Sequence, residues 1–444
     1  MKPTYADVER ALLSRWPETK LEPSLDRISA LCRLLGDPQT AYPVIQLTGT
    51  NGKTSTSRMI DELVRTLGLR TGRFTSPHLE SMTERICLDG EPLSHELFVD
   101  AFADVAAYAQ VVDDSATHPL SFFETFVAMA YAAFADSPVD VAVVEVGMGG
   151  VWDATNVADA QVAVVTPIAV DHANYLGDRP EDIAVEKAGI IKSGSHAVIA
   201  EQSDAVMDVL MHRASEVGAS VSREGVDFQL LSQVTAVGGQ MIALQGLSAR
   251  YDEIFLPLHG AHQAHNAAYA LAAVETFIGQ TEIDADLVRE AFSNVTAPGR
   301  LELVRHSPSV VLDAAHNPHG AAAAVAAMQE AFSFSPLIGV VGIMADKDIE
   351  EMLRIFEPVM AHIVCTQNSL DRSMRAHELA GMAEDIFGAD RVHTASRLDD
   401  ALETAMALAE VTEGHEEAIG GGGVLVTGSV VTVGEARVLL GGGS

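Results

Sequence analysis

The chain has 444 residues, too many for one average domain, so two domains of unequal size are expected. Hydrophobic residues make up 48% and aromatics only 5%, a balance that suits large aliphatic α/β cores. The net charge of −34 argues against a nucleic-acid partner, whose phosphates such a surface repels.

Cys32, Cys87 and Cys365 lie far apart with no C-x-x-C spacing. That points to a reducing compartment and away from a disulfide frame or zinc site. The N-terminal MKPTYADVER lacks the apolar core of a signal peptide, and no run approaches membrane-spanning length. A cytoplasmic protein with no membrane contact is expected. Only six lysines occur, at 2, 20, 53, 187, 192 and 347, so a lysine inside a motif stands out.

Residues 1–43 read as a lead-in, with a helix around Ala6–Arg15 and another over Leu25–Leu35, stopped by Gly36 and Pro38. The apolar run Val44-Ile45-Gln46-Leu47 then leads into Thr48-Gly49-Thr50-Asn51-Gly52-Lys53-Thr54, and Ser55–Leu67 leave it with helical spacing. Strand, tight glycine loop and helix form the plan of a phosphate-binding P-loop. Its glycines let several N–H groups face one anion, and the helix N-terminus adds unpaired donors and partial positive charge. Lys53 would reach the β/γ-phosphates and the Thr54 hydroxyl a magnesium ion. The usual pattern has a glycine where this chain has Leu47.

Arg73–Thr75 is a short strand running into Ser76-Pro77-His78-Leu79, and Glu84–Gly90 a further strand with a turn. A helix spans Ser121–Asp136. Val139–Val146 is a near-continuous apolar run, as in a strand buried on both faces of a parallel sheet. Gly147–Gly150 follow it, and Val162–Thr166 repeats the strand-to-loop pattern. In an open α/β sheet, ligand sites lie beyond the carboxyl ends of the strands. Glu145, Gly147–Gly150 and the Pro167–His172 loop all fall at that end, beside the P-loop. Residues 201–258 look less helical, with Gln229–Leu247 a small antiparallel hairpin or sheet. Helices follow at His262–Thr276 and Ala285–Ser293, then a linker at Thr296–Arg300.

Beyond the linker the alternation restarts. Strands are expected at Val310–Leu312, Leu337–Ile343, His362–Thr366 and Gly423–Thr427, and helices at Ala321–Phe332, Ile349–Phe356, His377–Ile386 and Leu398–Leu408. Gly420–Gly423 reads as a loop and Gly441–Ser444 as a flexible tail. The expected architecture is α/β: a P-loop ATPase domain with a mostly parallel sheet over 1–297, and a smaller C-terminal Rossmann-like domain over 298–444.

Taken alone, Glu145 is either a cap for the glycine loop or a magnesium ligand opposite the P-loop hydroxyl. Asp171-His172 and Lys187 are each more often structural or solvated than functional. In order along the chain, however, Thr48–Thr54, Thr75–Leu79, Glu84-Arg85-Ile86, Glu145–Gly150 and Asp153-Ala154-Thr155-Asn156 form a set. Asp171-His172 with Leu176-Gly177, Glu186–Ile190, Gly260, His265-Asn266 and Pro298-Gly299-Arg300 extend it. Asp313–Pro318 and Ala345–Asp348 complete it. Over nearly its whole length the chain resembles the folylpolyglutamate synthase and dihydrofolate synthase family, within the Mur ligase superfamily. TGTNGKT is that family's own form of the loop, which accounts for Leu47.

The resemblance implies an ATP-dependent amide ligase. ATP would phosphorylate the pteroate or folate carboxylate, and the amine of L-glutamate would displace phosphate from the acyl phosphate. It implies nucleotide binding by Gly49, Thr50, Asn51, Gly52, Lys53, Thr54 and Ser55, joined by Asn266, Arg300 and Asp313. It implies two Mg2+ ions, one on Ser76 and Glu145, the other on His172 and a carbamylated Lys187, and it admits a monovalent cation. Lys53, Glu145, His172 and Lys187 would be the catalytic set. Asp26, Arg27, Phe123 and Glu124 fall on the folate side, His316 and Ser429 on the glutamate side, and Asp153 is a further substrate candidate. The expected working form is a monomer whose partners are ATP, L-glutamate and dihydropteroate or folates.

One position departs. The family usually reads G-G-R-x-D-A-T-N, but here Gly149-Gly150 is followed by Val151, which cannot replace an arginine's hold on a carboxylate or phosphate. Other readings are tail extension alone, a cell-wall ligase of the same superfamily, and an ATP-hydrolysing switch. A cell-wall ligase carries a UDP-binding domain ahead of the P-loop, for which the 43 residues here are too few.

Overall fold

The computed structural model describes residues 2–17, 23–171, 173–410 and 421–441. The chain divides into two compact units. One comprises Met1–Gln233, Met241–Phe255 and Ala264–Val295; the other Val234–Gln240, Leu256–Gln263 and Thr296–Ser444.

The first unit opens with helices α1 (Tyr5–Leu13) and α2 (Asp26–Leu34). Strand β1 (Val44–Thr48) enters α3 (Lys53–Thr66), followed by β2 (Thr71–Phe74), β3 (Ile86–Leu88), β4 (Glu91–Pro92), α4 (His95–Ser115) and α5 (Phe122–Asp136). Next come β5 (Val141–Glu145), β6 (Val162–Val165), α6 (Ala173–Leu176), α7 (Pro180–Lys187), β7 (His196–Ile199), α8 (Asp204–Val217) and β8 (Ser220–Arg223). Strands β9 (Gln229–Ala236), β10 (Gly239–Gln245) and β11 (Arg250–Leu256) pair in the order β11-β10-β9, and α9 (Ala261–Phe277) and α10 (Ala285–Ser293) follow. The main sheet has the order β4-β3-β2-β5-β1-β6-β7-β8. It is parallel from β2 to β8 and antiparallel at the β2–β3–β4 edge. Every residue of β1 and β5 is buried, as expected for central strands covered on both faces.

The second unit contains β12 (Glu302–His306), β13 (Ser309–Leu312), α11 (Pro318–Ala331), β14 (Leu337–Val341), α12 (Ile349–Phe356), β15 (His362–Cys365) and α13 (Ala376–Phe387). It ends with β16 (Val392–Thr394), α14 (Leu398–Glu410), β17 (Gly423–Thr427) and α15 (Val430–Leu439). Its sheet runs β12-β13-β17-β14-β15-β16, parallel except for the β12–β13 hairpin.

Several elements go beyond the sequence reading. Helix α4 was not anticipated, although Ser94 caps it and its buried positions Phe98, Ala101, Val105, Ala109 and Val112 follow helical spacing. Helices α8 and α15 and strands β12 and β16 are likewise additional. The strand expected from Glu84 begins only at Ile86, because Ser81 and Glu84 form a capping box over a 3-10 turn, Met82–Arg85. Gly423 belongs to β17, while Gly420 and residues 442–444 of the expected loop and tail lie outside the described residues.

A buried ion pair joins the P-loop helix to the neighbouring strand. Arg73 Nη1 on β2 lies 2.9 Å from Asp61 Oδ2 on α3, and Arg73 Nη2 donates to Cys87 Sγ on β3. Both charged side chains are at most 5% exposed. Removing one partner strands the other charge in the core. Arg73→Met should therefore lower stability by about 3–5 kcal/mol, read as a lower urea midpoint, and adding Asp61→Leu should recover most of the loss.

Candidate active site

The site is built where β2, β5, β1 and β6 end side by side. Leu47 pairs with Glu145, Phe74 with Val144, and Thr48 with Val165. The loop after β1 turns sharply at two glycines. Gly49 has φ of +146°, and a Cβ there would lie 1.9 Å from Thr166 Oγ1. Gly52 has φ of +88°, and a Cβ would lie 2.5 Å from Asn266 Oδ1, so Asn266 is packed against the loop. Thr166 Oγ1 donates to Asn51 O at 2.7 Å and to Thr48 O. Thr50 Oγ1 donates to Ala169 O, and Gln202 braces Thr166 O and Ile168 N. The roles of Thr166, Ala169 and Gln202 escaped the sequence reading; Thr166 ends a strand that had been recognised, but nothing local marks its reach to the P-loop. Ser55 is buried in the first turn of α3.

Two lysines converge on one carbonyl. Lys53 Nζ donates to Gly49 O at 3.0 Å and to Thr50 O, and Lys187 Nζ donates to Gly49 O at 2.8 Å. Burial, and then the Lys53 charge, push the Lys187 amine down to about 7, against an upward pull from Asp171, Asp153 and Glu186. Thr54 Oγ1 donates to both oxygens of Glu145 at 3.0 Å, and Glu145 is only 2% exposed. Ser76 stands two residues beyond β2, at the end of the strand neighbouring that of Glu145. Burial and the adjacent Arg85 charge push His78 down to about 3, so the imidazole is neutral.

Glu145, Thr54 and Ser76 offer one carboxylate and two hydroxyls, a hard oxygen set that suits Mg2+ completed by phosphate oxygens and water. Among the described residues, no three His, Cys, Asp or Glu side chains gather into a self-contained metal site. His172 lies outside the described residues.

The expected folate-side residues are placed unevenly. The Phe123 ring lies over Gly147, where a Cβ would come within 2.5 Å of it, and 5.8 Å from the ring of Phe74. Arg27 Nε donates to Glu124, whose Oε2 also accepts from Ser121 N at the start of α5. Asp26 is exposed at the start of α2. Asp153 commits its carboxylate to the N–H groups of Met148 and Thr155 and to the Thr155 hydroxyl, shaping the glycine loop from within.

In the second unit, Asp313 accepts from Leu301 N and Ala315 N; burial pushes its carboxyl up while nearby Arg300 pulls it down. His316 Nδ1 donates to Ala314 O, and Ser429 caps α15 by accepting from Val431 N. Gly428 N donates to Ala315 O and Ala314 N to Gly299 O, so these residues gather around the carboxyl ends of β13 and β17.

Val151 is 47% exposed. Its N–H donates to Glu186 O at 3.1 Å and its carbonyl accepts from Asn156 Nδ2, so the loop is tied to the helix of Lys187 through backbone.

Residues 47–274 match the Mur ligase middle domain, and 299–430 match the Mur ligase glutamate ligase domain. A dihydrofolate synthase/folylpolyglutamate synthase of Mycobacterium tuberculosis is 49% identical over 98% of this chain and 93% of the relative. The solved M. tuberculosis folylpolyglutamate synthase complexed with ADP superposes with a TM-score of 0.95 at 48% identity, over 98% of each chain. A bifunctional folylpolyglutamate synthase/dihydrofolate synthase from Yersinia pestis, complexed with AMPPNP and Mn ion, gives 0.83 at 27% identity, over 99% of this chain and 98% of that one.

An arginine at 151 would keep the backbone bonds and start from an exposed position. Val151→Arg should shift stability by no more than about 0.5 kcal/mol in thermal melts and preserve or raise ligase turnover. A clear loss of turnover would mean that the loop has been rebuilt around valine.

Proposed function

We infer the reaction from kinship: this chain belongs to the dihydrofolate synthase/folylpolyglutamate synthase family of Mur ligases. It is an ATP-dependent ligase that joins L-glutamate to dihydropteroate, to reduced folates, or to both. A carboxylate is a poor electrophile. Transfer of the ATP γ-phosphoryl group to a carboxylate oxygen releases ADP and leaves an acyl phosphate with a good leaving group. The neutral amine of L-glutamate then attacks the carbonyl carbon, phosphate departs, and the amide remains. Little covalent work is asked of the protein, so positioning and charge neutralisation carry the rate.

The observation that best supports this reading is the buried Thr54–Glu145 pair beside two lysines on the Gly49 carbonyl. In our assignment the loop 49–54 cradles phosphate oxygens, aided by the N–H groups at the start of α3. Lys53 supplies positive charge to the transferred group. Asn266, Arg300 and Asp313 are assigned to the nucleotide, Phe123, Arg27 and Glu124 to the folate, and His316 and Ser429 to glutamate. The family uses nucleotide with a divalent metal, and here Glu145, Ser76 and Thr54 would hold Mg2+, which would offset phosphate charge. We assign a second ion to Lys187 with His172. The buried, unpaired Cys32, Cys87 and Cys365 fit a reducing, cytoplasmic setting.

Lys187 can be an oxygen ligand only as a carbamate. Its lowered pKa favours the neutral amine that attacks CO2, and the resulting anion would turn repulsion from Lys53 into attraction. With a pKa of about 7, about a tenth of the amine is neutral at pH 6 and about nine-tenths at pH 8. Enzyme stripped of CO2 at pH 6 should lose turnover, and at equal dissolved CO2 restoration should be faster at pH 8 than at pH 6. Lys187→Arg, a permanent cation, should be inactive under both conditions. Restoration independent of pH would remove the carbamate from the account.

Purified protein with ATP, L-glutamate and either dihydropteroate or tetrahydrofolate tests the whole reading. Glutamate-dependent phosphate release with both acceptors defines the bifunctional enzyme, and release with tetrahydrofolate alone defines tail extension. Release with neither would sink the assignment.

A further inference from the structure

The Glu84-Arg85 pair has no part in the chemistry assigned so far. The backbone from Thr75 to Arg85 links antiparallel neighbours β2 and β3, closed at its base by Phe74 opposite Ile86 and by Thr75 N donating to Arg85 O at 3.1 Å. Such a connection has many conformations open to it, and ordering it costs backbone entropy. Two adjacent side chains impose one shape from inside. Glu84 Oε2 accepts from Leu79 N at 2.9 Å, and Oε1 accepts from Glu80 N at 2.9 Å and Ser81 N at 2.7 Å. Three consecutive N–H groups thus close on one carboxylate, and a charged acceptor holds them more strongly than an amide would. Arg85 Nε donates to His78 Nδ1 at 2.9 Å. Its guanidinium lies over the rings of Phe122 and Phe126, 4.9 and 5.2 Å from their centroids. Those rings belong to α5, so the loop is tied to the hydrophobic core of the first unit.

We propose that Glu84 and Arg85 are positioning residues for the ligation, fixing the 76–81 loop so that the Ser76 hydroxyl stays at the end of β2 beside Glu145. The inference rests on the assignment of Ser76 as a ligand of the nucleotide-bound metal. None of the bonds above uses the Ser76 hydroxyl, so losing the Glu84 charge removes no group from the metal site. It releases the segment that aims one.

The test is glutamate-dependent phosphate release by the full-length enzyme, with ATP and whichever acceptor the unaltered enzyme uses, titrated with Mg2+, beside the Mn2+ affinity of its ADP complex read from the electron paramagnetic resonance signal of free Mn2+. Glu84→Gln should raise the Mg2+ concentration for half-maximal rate about tenfold, the effect expected when support behind a metal ligand is lost. Ser76→Ala should do the same. The double variant should need no more Mg2+ than Ser76→Ala alone, because both losses act through one oxygen. If Glu84→Gln does not accumulate folded, Glu84→Asp keeps the charge, shortens its reach, and is read by the same titration. An unchanged Mg2+ requirement in Ser76→Ala overturns the Ser76 assignment and the inference with it. A shift in Ser76→Ala with none in the Glu84 variant, or additive shifts in the double variant, overturns the positioning role alone.

Discussion

The register of four parallel strands is the constraint on which the site depends. Side chains alternate along a strand, so a one-residue slip of β5 against β1 would turn Glu145 away from the face that meets Thr54. Burial of every residue of both strands opposes such a slip, since exchanging the faces would set each side chain against neighbours it does not fit. With register held, the residues just past the strand ends are neighbours. Ser76, Glu145, Gly49 and Thr166 come from four separated stretches of sequence and share one edge. The first turn of α3 faces that edge with N–H groups that have no partner within the helix.

The electrostatics of the edge turn on the Gly49 carbonyl. It accepts from both Lys53 and Lys187, and holding two cations so close in a buried place is costly for the one that is more easily neutralised. Burial first, and then the Lys53 charge, displace the Lys187 amine to about 7. Of the two causes only the Lys53 charge would favour an anion in that place; burial disfavours either charged form and leaves the neutral amine. Glu145, a buried carboxylate, accepts from the Thr54 hydroxyl.

Much of this was legible locally. Gly49, Gly52, Lys53 and Thr54 announce a phosphate loop by spacing alone, and the apolar runs before Thr48 and through Glu145 announce central strands. What was not legible depends on contacts far apart in the chain. Thr166 supports the P-loop through the carbonyls of Thr48 and Asn51, more than a hundred residues away. Asp153 and Glu124, assigned to substrate by resemblance, also accept from backbone N–H groups near them, which their position in a motif does not announce. Glu84 is an intermediate case: Ser81-x-x-Glu84 is a capping pattern readable from sequence, but its additional bonds to Leu79 and Glu80 follow from the loop's shape. Helix α4 shows in sequence only through the spacing of Phe98, Ala101, Val105, Ala109 and Val112, which alanines and scattered acids dilute.

The remaining tension lies between the whole molecule and its site. A chain of net charge −34 meets nucleotide, folate and glutamate, all of them anions, so the long-range field opposes every encounter. Beyond about 8 Å in physiological salt that field is largely screened, whereas contacts within a buried site are screened far less. Binding must therefore come from short-range groups: the loop amides, the helix end, Lys53 and the metal. The shortage of lysine sharpens the point, for two of only six converge on a single carbonyl. A surface that repels at distance and a site that attracts at contact respond oppositely to salt. Screening weakens the first and leaves most of the second, so an acidic exterior and anionic substrates are compatible in one enzyme.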